Sequence, residues 1–291
     1  MKTRRSTLRP SPCALRGRGG LTVLEMLVSI TLLVMIVVGL TAMFVQTQRA
    51  FRTGVKQTVV ADSGGTVVDL VASDLAQMSD AQNPNITNLF WGWTQTNTTI
   101  QNQAGALFTN QAQEIFLLVR TNAQWLGIGY AVSNTVAGGA GAGTLYRYLA
   151  TTNAPLTSNS LCDDFFASVV KQNFSGTNFH RVADGVIHLK IRAFDQFGNE
   201  NAYEYGHDND RANSFFYPVP FNTNGSVLFV SSNDLPNSVQ LEVAVLEPDA
   251  YAQARSLSGS GNATALTNYL AKTAANVHFY RRHIPIVGAT R

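Results

Sequence analysis

From Met26 to Val45 the chain carries no charged residue. At about 1.5 Å of rise per residue that run covers about 30 Å, the thickness of a bilayer's hydrocarbon core, so the pattern predicts a membrane-spanning helix. Beyond Val45 polar residues enter, but Val60, Gly64, Val67, Val71, Leu75 and Met78 recur at steps of three and four, the spacing of one apolar helix face. One helix is therefore expected from about Leu21 to about Ser79, its first half in the membrane and its second half packed on a globular head. Asn83-Pro84-Asn85 is expected to end it. Gly64-Gly65 lies inside this helix, where each glycine costs about 1 kcal/mol against alanine; either the helix bends there or a strand of the head approaches closely.

After the helix the period changes. Residues 83–112 are rich in Asn, Thr and Gln, with Trp91 and Trp93 as apolar anchors, and read as a surface connection with limited structure. Glu114–Thr121, Trp125–Ser133 and Leu145–Tyr148 are rich in branched and aromatic residues and predict three successive strands. The glycine run Gly138–Gly143 between the last two reads as a hairpin tip. No Gly-Lys-Ser/Thr follows it, which argues against a phosphate loop. Residues 160–172 place Leu161, Phe165, Phe166, Val169 and Val170 at helical spacing, with Cys162 as a small core residue. Ile187, Leu189 and Ile191 alternate with His188, Lys190 and Arg192, and Val239–Val245 alternates in the same way; both predict strands with one buried and one wet face. Residues 262–275 look helical, and 277–286 returns to strand before Pro285 and Gly288. The resulting fold class is α+β, a long N-terminal helix packed on an antiparallel β-sheet head.

Charge refines the N-terminus. The chain of 291 residues has a formal net charge of +3. Six of its 21 Lys+Arg lie in the first twenty residues (Lys2, Arg4, Arg5, Arg9, Arg16, Arg18) and no acid does, so the 15 that remain stand against 18 Asp+Glu, a net −3 for residues 21–291. The basicity belongs to a leader ahead of the span, as on the cytoplasmic side of a membrane segment. Nothing in the rest points to nucleic acid or an anionic surface as a partner. Cys13 lies in the leader, which leaves Cys162 alone beyond it and excludes an intramolecular disulfide there. About 210 residues follow the helix, enough to bury a core without such staples.

The junction of leader and span reads Gly20-Leu21-Thr22-Val23-Leu24-Glu25. A carboxylate at the mouth of the hydrocarbon costs a few kcal/mol unless a positive group meets it. Here the sequence resembles the type IV pilin-like superfamily, whose precursors carry a glycine, a cut, and then a short apolar motif with glutamate at its fifth position. Leu21 stands where the family usually has Phe. The resemblance implies cleavage between Gly20 and Leu21 by a prepilin peptidase, methylation of the new Leu21 amine, and pairing of Glu25 with the amine of a neighbouring subunit during assembly. It divides the chain into a basic leader (1–20), a transmembrane half-helix (21–45), a periplasmic half-helix (46–83) and a globular head (84–291). It also implies a single-pass protein of the bacterial inner membrane with its head in the periplasm, whose partners are the peptidase, other pseudopilins or pilins and the membrane, with no nucleic acid. A fainter likeness, to J-type minor pseudopilins of type II secretion, rests on Ala183-Asp184-Gly185-Val186 and Leu235-Pro236-Asn237-Ser238-Val239. The alternatives are a type IV minor pilin, or a membrane-tethered periplasmic enzyme or carbohydrate-binding domain. Thr3-Arg4-Arg5-Ser6-Thr7-Leu8 looks like a twin-arginine signal, but the span behind it is too long and apolar for that route, and Leu40-Thr41-Ala42 is a poor secretory cleavage site.

Candidate chemistry is sparse. The five histidines, His180, His188, His207, His278 and His283, show no HExxH or other metal-ligand spacing, and there is no Gly-x-Ser-x-Gly. His188 and His278 fall on or beside strands and are expected at exposed sheet positions. Asp195, Asn199, Glu200, His207, Asp208, Asn209 and Asp210 make an oxygen-rich loop, yet its spacing matches no calcium loop and it reads as solvated. The expectation is an assembly protein rather than an enzyme, with no cofactor and no metal.

Overall fold

The computed structural model describes residues 22–79, 91–95, 100–103, 106–133, 142–156, 158, 160–171, 173–200, 226–230, 235–260 and 262–287. The chain divides into two compact units, residues 1–54 and 55–291. In the first, every residue from Val23 to Gly54 is helical and exposed. It belongs to α1 (Val23–Ala76), and among the described residues α1 is the one helix long and apolar enough to cross a membrane. Ser29, Thr31, Thr41 and Thr47 turn their hydroxyls onto the carbonyls of Glu25, Val28, Val37 and Met43 at 2.7–2.9 Å. The polar groups of this apolar run are thus satisfied within the helix itself, as hydrocarbon requires.

The second unit is a sheet domain. In chain order its strands are β1 (Trp91–Gln95), β2 (Ile100–Gln103), β3 (Ala106–Thr109), β4 (Ala112–Arg120), β5 (Gln124–Ser133), β6 (Gly143–Asn153), β7 (Phe179–Phe194), β8 (Ser226–Val230), β9 (Ser238–Leu246) and β10 (Val277–Pro285). Among the described residues its α-helices besides α1 are α2 (Ser160–Val170), α3 (Pro248–Gly259) and α4 (Ala263–Lys272). Eight strands run in the order β10-β9-β7-β6-β5-β4-β1-β8, and β2 and β3 pair by themselves. Neighbours in the large sheet are antiparallel, but Ala112 of β4 also pairs in parallel with Leu189 of β7. That contact closes β4, β5, β6 and β7 into a ring. The fold is α+β with a long N-terminal helix and a β-sheet domain, and the sheet closes on itself where a simple antiparallel sheet is expected.

Burial explains the strand patterns. The α1 stripe lies on one side of the sheet, where Val67, Val71 and Leu75 share a core with Ile115, Leu117, Ile128, Leu189, Leu241 and Val243. On the other side α2 brings Leu161, Cys162, Phe165 and Val169 against Phe116, Leu118, Trp125 and Tyr148. Strand β4, covered on both faces, is therefore a near-continuous apolar run instead of an alternating one. A third cluster joins α3 and α4 through Ala250, Tyr251, Leu266 and Leu270 to Ile187, Ala244 and Leu246. Of the two explanations for Gly64-Gly65, close approach is the one observed. A Cβ on Gly64 would lie 2.3 Å from Tyr280 Cε2 of β10, whereas at Gly65 it would meet open space. The Tyr280 hydroxyl donates to the Val60 carbonyl at 3.0 Å.

Several elements differ from expectation. Helix α1 ends at Ala76, because Met78 bridges to Val119 and the Ser79 N–H donates to the Leu118 carbonyl at 2.9 Å; sheet pairing takes over before Asn83-Pro84-Asn85, which lies outside the described residues. Among the described residues of 83–112 stand β1, β2 and β3, since backbone pairing of β1 on β4 and of β2 on β3 makes little demand on side-chain pattern. The helical stretch expected at 262–275 is α4, opened by Asn262, whose side chain accepts from the Ala265 N–H at 2.9 Å, followed by a short 3-10 turn at Ala274–Asn276. Ahead of it stands the unforeseen α3, started by Pro248 in its first turn. Strands β5 and β6 do form the expected hairpin, from Gln124↔Asn153 to Ser133↔Thr144; its tip lies outside the described residues.

Candidate functional site

Gly20 and Leu21 lie outside the described residues. Glu25 is described, and its surroundings have a simple local logic. Thr22 precedes the first helical residue, and its N–H donates to Glu25 Oε2 at 2.9 Å while its hydroxyl donates to the same oxygen at 3.1 Å. In return the Glu25 N–H donates to Thr22 Oγ1 at 3.3 Å. This is a reciprocal capping box, Thr at the N-cap and Glu three residues on, satisfying two helix-end donors at once. The Thr-x-x-Glu signal, Thr22 to Glu25, lies within the junction motif and is legible in the sequence. Both residues are exposed, so the carboxylate can exchange its internal partner for an external one.

Within the sheet domain, polar chemistry is gathered at two buried places. Asp74, on the sheet-facing side of α1, accepts from Arg147 Nε at 2.8 Å and from Arg147 Nη2 at 3.0 Å, a two-pronged pair, and takes a further bond from the Tyr130 hydroxyl. Burial and the adjacent Asp74 charge push the Tyr130 phenol far above its ordinary range. A neutral phenol, a carboxylate and a guanidinium so arranged satisfy one another, and they tie α1 to β5 and β6.

The second place is built around His188, and here the expectation of an exposed residue fails. Its side chain is only 2% exposed, because the ring sits beside Phe279 of β10 at a centroid distance of 5.4 Å. Its Nδ1 accepts the Gln111 N–H at 3.0 Å, and its Nε2 faces Glu242 Oε2 at 3.6 Å. Glu242 Oε1 in turn receives Arg281 Nη2 at 2.9 Å and Gln240 Nε2 at 3.0 Å. The facing His188 ring, with Arg281 behind it, holds the Glu242 carboxyl below its ordinary value. His278 is half-buried against Glu247, with Nε2 at 3.3 Å from Oε1; His180 and His283 are exposed, and His207 lies outside the described residues.

The oxygen-rich loop is described only as far as Glu200. Asp195 Oδ1 accepts the N–H groups of Phe197 and Asn199, each at 2.8 Å, and Glu200 pairs with Arg192. Both carboxylates are thus committed to the turn and to the strand. Among the described residues no three of His, Cys, Asp and Glu are grouped as metal ligands. A groove of about 380 Å³ runs between Val60 and Val67 of α1 and Ala183, Val245, Leu246 and Tyr251. Its one carboxylate, Asp184, is held by Thr144 at 2.7 Å and by Arg181 Nε at 3.0 Å. Comparison of the chain with protein-family models, with curated proteins and with solved structures finds no match.

Proposed function

We propose that this chain is a minor pseudopilin-like structural subunit of a type II secretion system or a related type IV pilus-like filament. In this reading it is cut after Gly20 by a prepilin peptidase, methylated on the Leu21 amine, and held in the bacterial inner membrane by its N-terminal helix with the head in the periplasm. One juxtaposition carries the reading: an acid-free basic stretch ending in Gly20, then Glu25, then an uncharged helix whose residues 26–45 are all exposed. So long an apolar surface is stable only in lipid or among other apolar helices. Assembly of a filament from a membrane pool supplies first one environment and then the other.

The finer J-type likeness draws support from the setting of its residues. Ala183-Asp184-Gly185-Val186 stands in β7, and Leu235-Pro236 leads into β9, which pairs with β7. Gly185 has φ of +75°, a conformation that glycine adopts without the strain other residues incur. The test is mass spectrometry of the mature N-terminus from cells that contain a prepilin peptidase. The expected species begins at Leu21 and carries one methyl group. A chain that begins beyond Val38, or that stays uncut, overturns the proposal.

A further inference from the structure

Among the described residues, β4 and β7 meet over a single parallel register pair, Ala112↔Leu189, and the bonds flanking it are unusual. The Leu189 N–H donates to the Gln111 carbonyl at 2.8 Å, as in an ordinary ladder. The Ile191 N–H instead donates to the side-chain Oε1 of Gln113 at 2.7 Å, and the Gln111 N–H donates to Nδ1 of His188 at 3.0 Å. A titratable ring thus stands where a strand would normally offer a carbonyl.

The direction of that last bond fixes the ring's protonation. A backbone N–H can only donate, so Nδ1 offers a lone pair and carries no proton in the closed seam. The proton of the neutral ring is then on Nε2, which faces Glu242. A second proton has only Nδ1 to occupy, and there it would oppose the Gln111 N–H, two donors facing each other. The side chain is 2% exposed, so water cannot step in as an acceptor while the seam stays closed.

We infer that His188 is a proton-operated latch on the β4–β7 seam, closed when its Nδ1 is unprotonated and accepts the Gln111 N–H, and opened when that nitrogen is protonated, which releases the residues around Gln111 from β7. The charged groups around the ring favour the latch. Glu242 of β9 faces Nε2 and would stabilise an imidazolium, but Arg281 of β10 and Gln240 occupy its other oxygen. Lys190, two residues along β7, pairs in register with Glu242 and adds a second positive neighbour. On β4 the nearest titratable side chain along the strand is Glu114, which is buried. From β10 the ring otherwise meets Phe279. Two cations thus share the Glu242 carboxylate with His188, and a second proton on the ring would face the Gln111 N–H.

The test uses the full chain in detergent micelles and reads amide exchange at Gln111, Leu189 and Ile191 between about pH 8 and about pH 5.5, the range in which histidine acts as a switch. His188→Asn is the comparison, since the amide Oδ1 sits where Nδ1 was, accepts the Gln111 N–H and does not titrate. In the wild type, the opening constant corrected for intrinsic exchange should rise about tenfold per pH unit on the acid limb, the slope for uptake of one proton. In His188→Asn it should be flat. Equal slopes in the two proteins, or no slope in the wild type, overturn the inference. Should the variant fail to fold, nitrogen spectra of the wild-type imidazole decide: a proton on Nδ1 while the Gln111 amide is still protected overturns it, and an unprotonated Nδ1 there supports it.

Discussion

Replacing Asp74 by Asn tests whether the buried ion pair holds α1 on the sheet. The Asp74 carboxylate receives two bonds from Arg147 and one from Tyr130, and the side chains of Asp74 and Arg147 are 8% and 21% exposed. Asparagine keeps the shape and one acceptor oxygen, so the change removes the charge and one prong while leaving the packing of Val71 and Leu75 alone. Removing one partner of a buried pair costs about 3–5 kcal/mol, because the other charge is left uncompensated. The remaining access of Arg147 to solvent lowers this to about 2–4 kcal/mol. For a domain of this size each kcal/mol is about 2–4 °C in melting temperature, so Asp74→Asn should melt about 5–15 °C below the wild type. The assay is near-ultraviolet circular dichroism of the chain in micelles, which reports the buried Trp125, Tyr130 and Tyr148. A double change to apolar residues, Asp74→Leu with Arg147→Met, should be less harmful than either single change, since it removes both charges together. The reasoning is refuted if Asp74→Asn lies within about 0.5 kcal/mol of the wild type, or if the two single losses add to the double loss within that margin.

Two further outcomes follow from named contacts. Gly64→Ala would ordinarily gain about 1 kcal/mol of helix propensity, but here the new Cβ lands on the Tyr280 ring, so overpacking should leave a net loss of about 1–2 kcal/mol, and combining it with Tyr280→Ala should cost less than the two losses added; thermal melts of the four proteins measure this, and a stabilised Gly64→Ala would refute the close approach. Glu25→Gln should leave helix content and membrane insertion unchanged while reducing the neighbouring subunits recovered after crosslinking in membranes; unchanged recovery would make Glu25 a helix cap and nothing more.

How much of this was readable beforehand depends on whether the physics is local. The stripe Val67, Val71 and Leu75 is legible in the sequence because one helix face meets one core. Alternation likewise reads Val239, Leu241, Val243 and Val245 of β9, and Leu189 and Ile191 of β7, onto one side, but a register shift between Val186 and His188 turns Ile187 away from them to the α3–α4 cluster. It did not show what covers that side: His188 was assigned to the wet face with Lys190 and Arg192, yet Phe279 of β10 and the β4 backbone bury it. The seam between β4 and β7 has no signature at all, since two of its bonds run through a Gln and a His that lie 78 and 77 residues from their partners. Helix α3 was missed because its buried residues are Ala250, Tyr251, Ala254 and Ser258, too small and polar to stand out as a stripe. Of the proposed processing site, Glu25 stands at the helix start, while Gly20 and Leu21 lie outside the described residues.

The capping box changes the weight that each residue of the motif bears. Read alone, Glu25 is an unpaired carboxylate at the edge of an apolar span, and its presence calls for a partner in the next subunit. With two bonds from Thr22 already on Oε2, the carboxylate is satisfied inside its own helix, and the call for an outside partner weakens. What a cap does not explain is the acid-free basic stretch that ends in Gly20, nor an apolar helix whose residues 26–45 are all exposed. Those two features therefore carry the assembly reading, and the glutamate qualifies it. A cap also tolerates glutamine in place of glutamate, because either side chain can reach back to the Thr22 N–H, whereas pairing with a charged amine loses most of its strength when the charge is removed. The roles of Glu25 as cap and as assembly partner thus separate at a single atom, and glutamine divides them where alanine, which abolishes both, cannot.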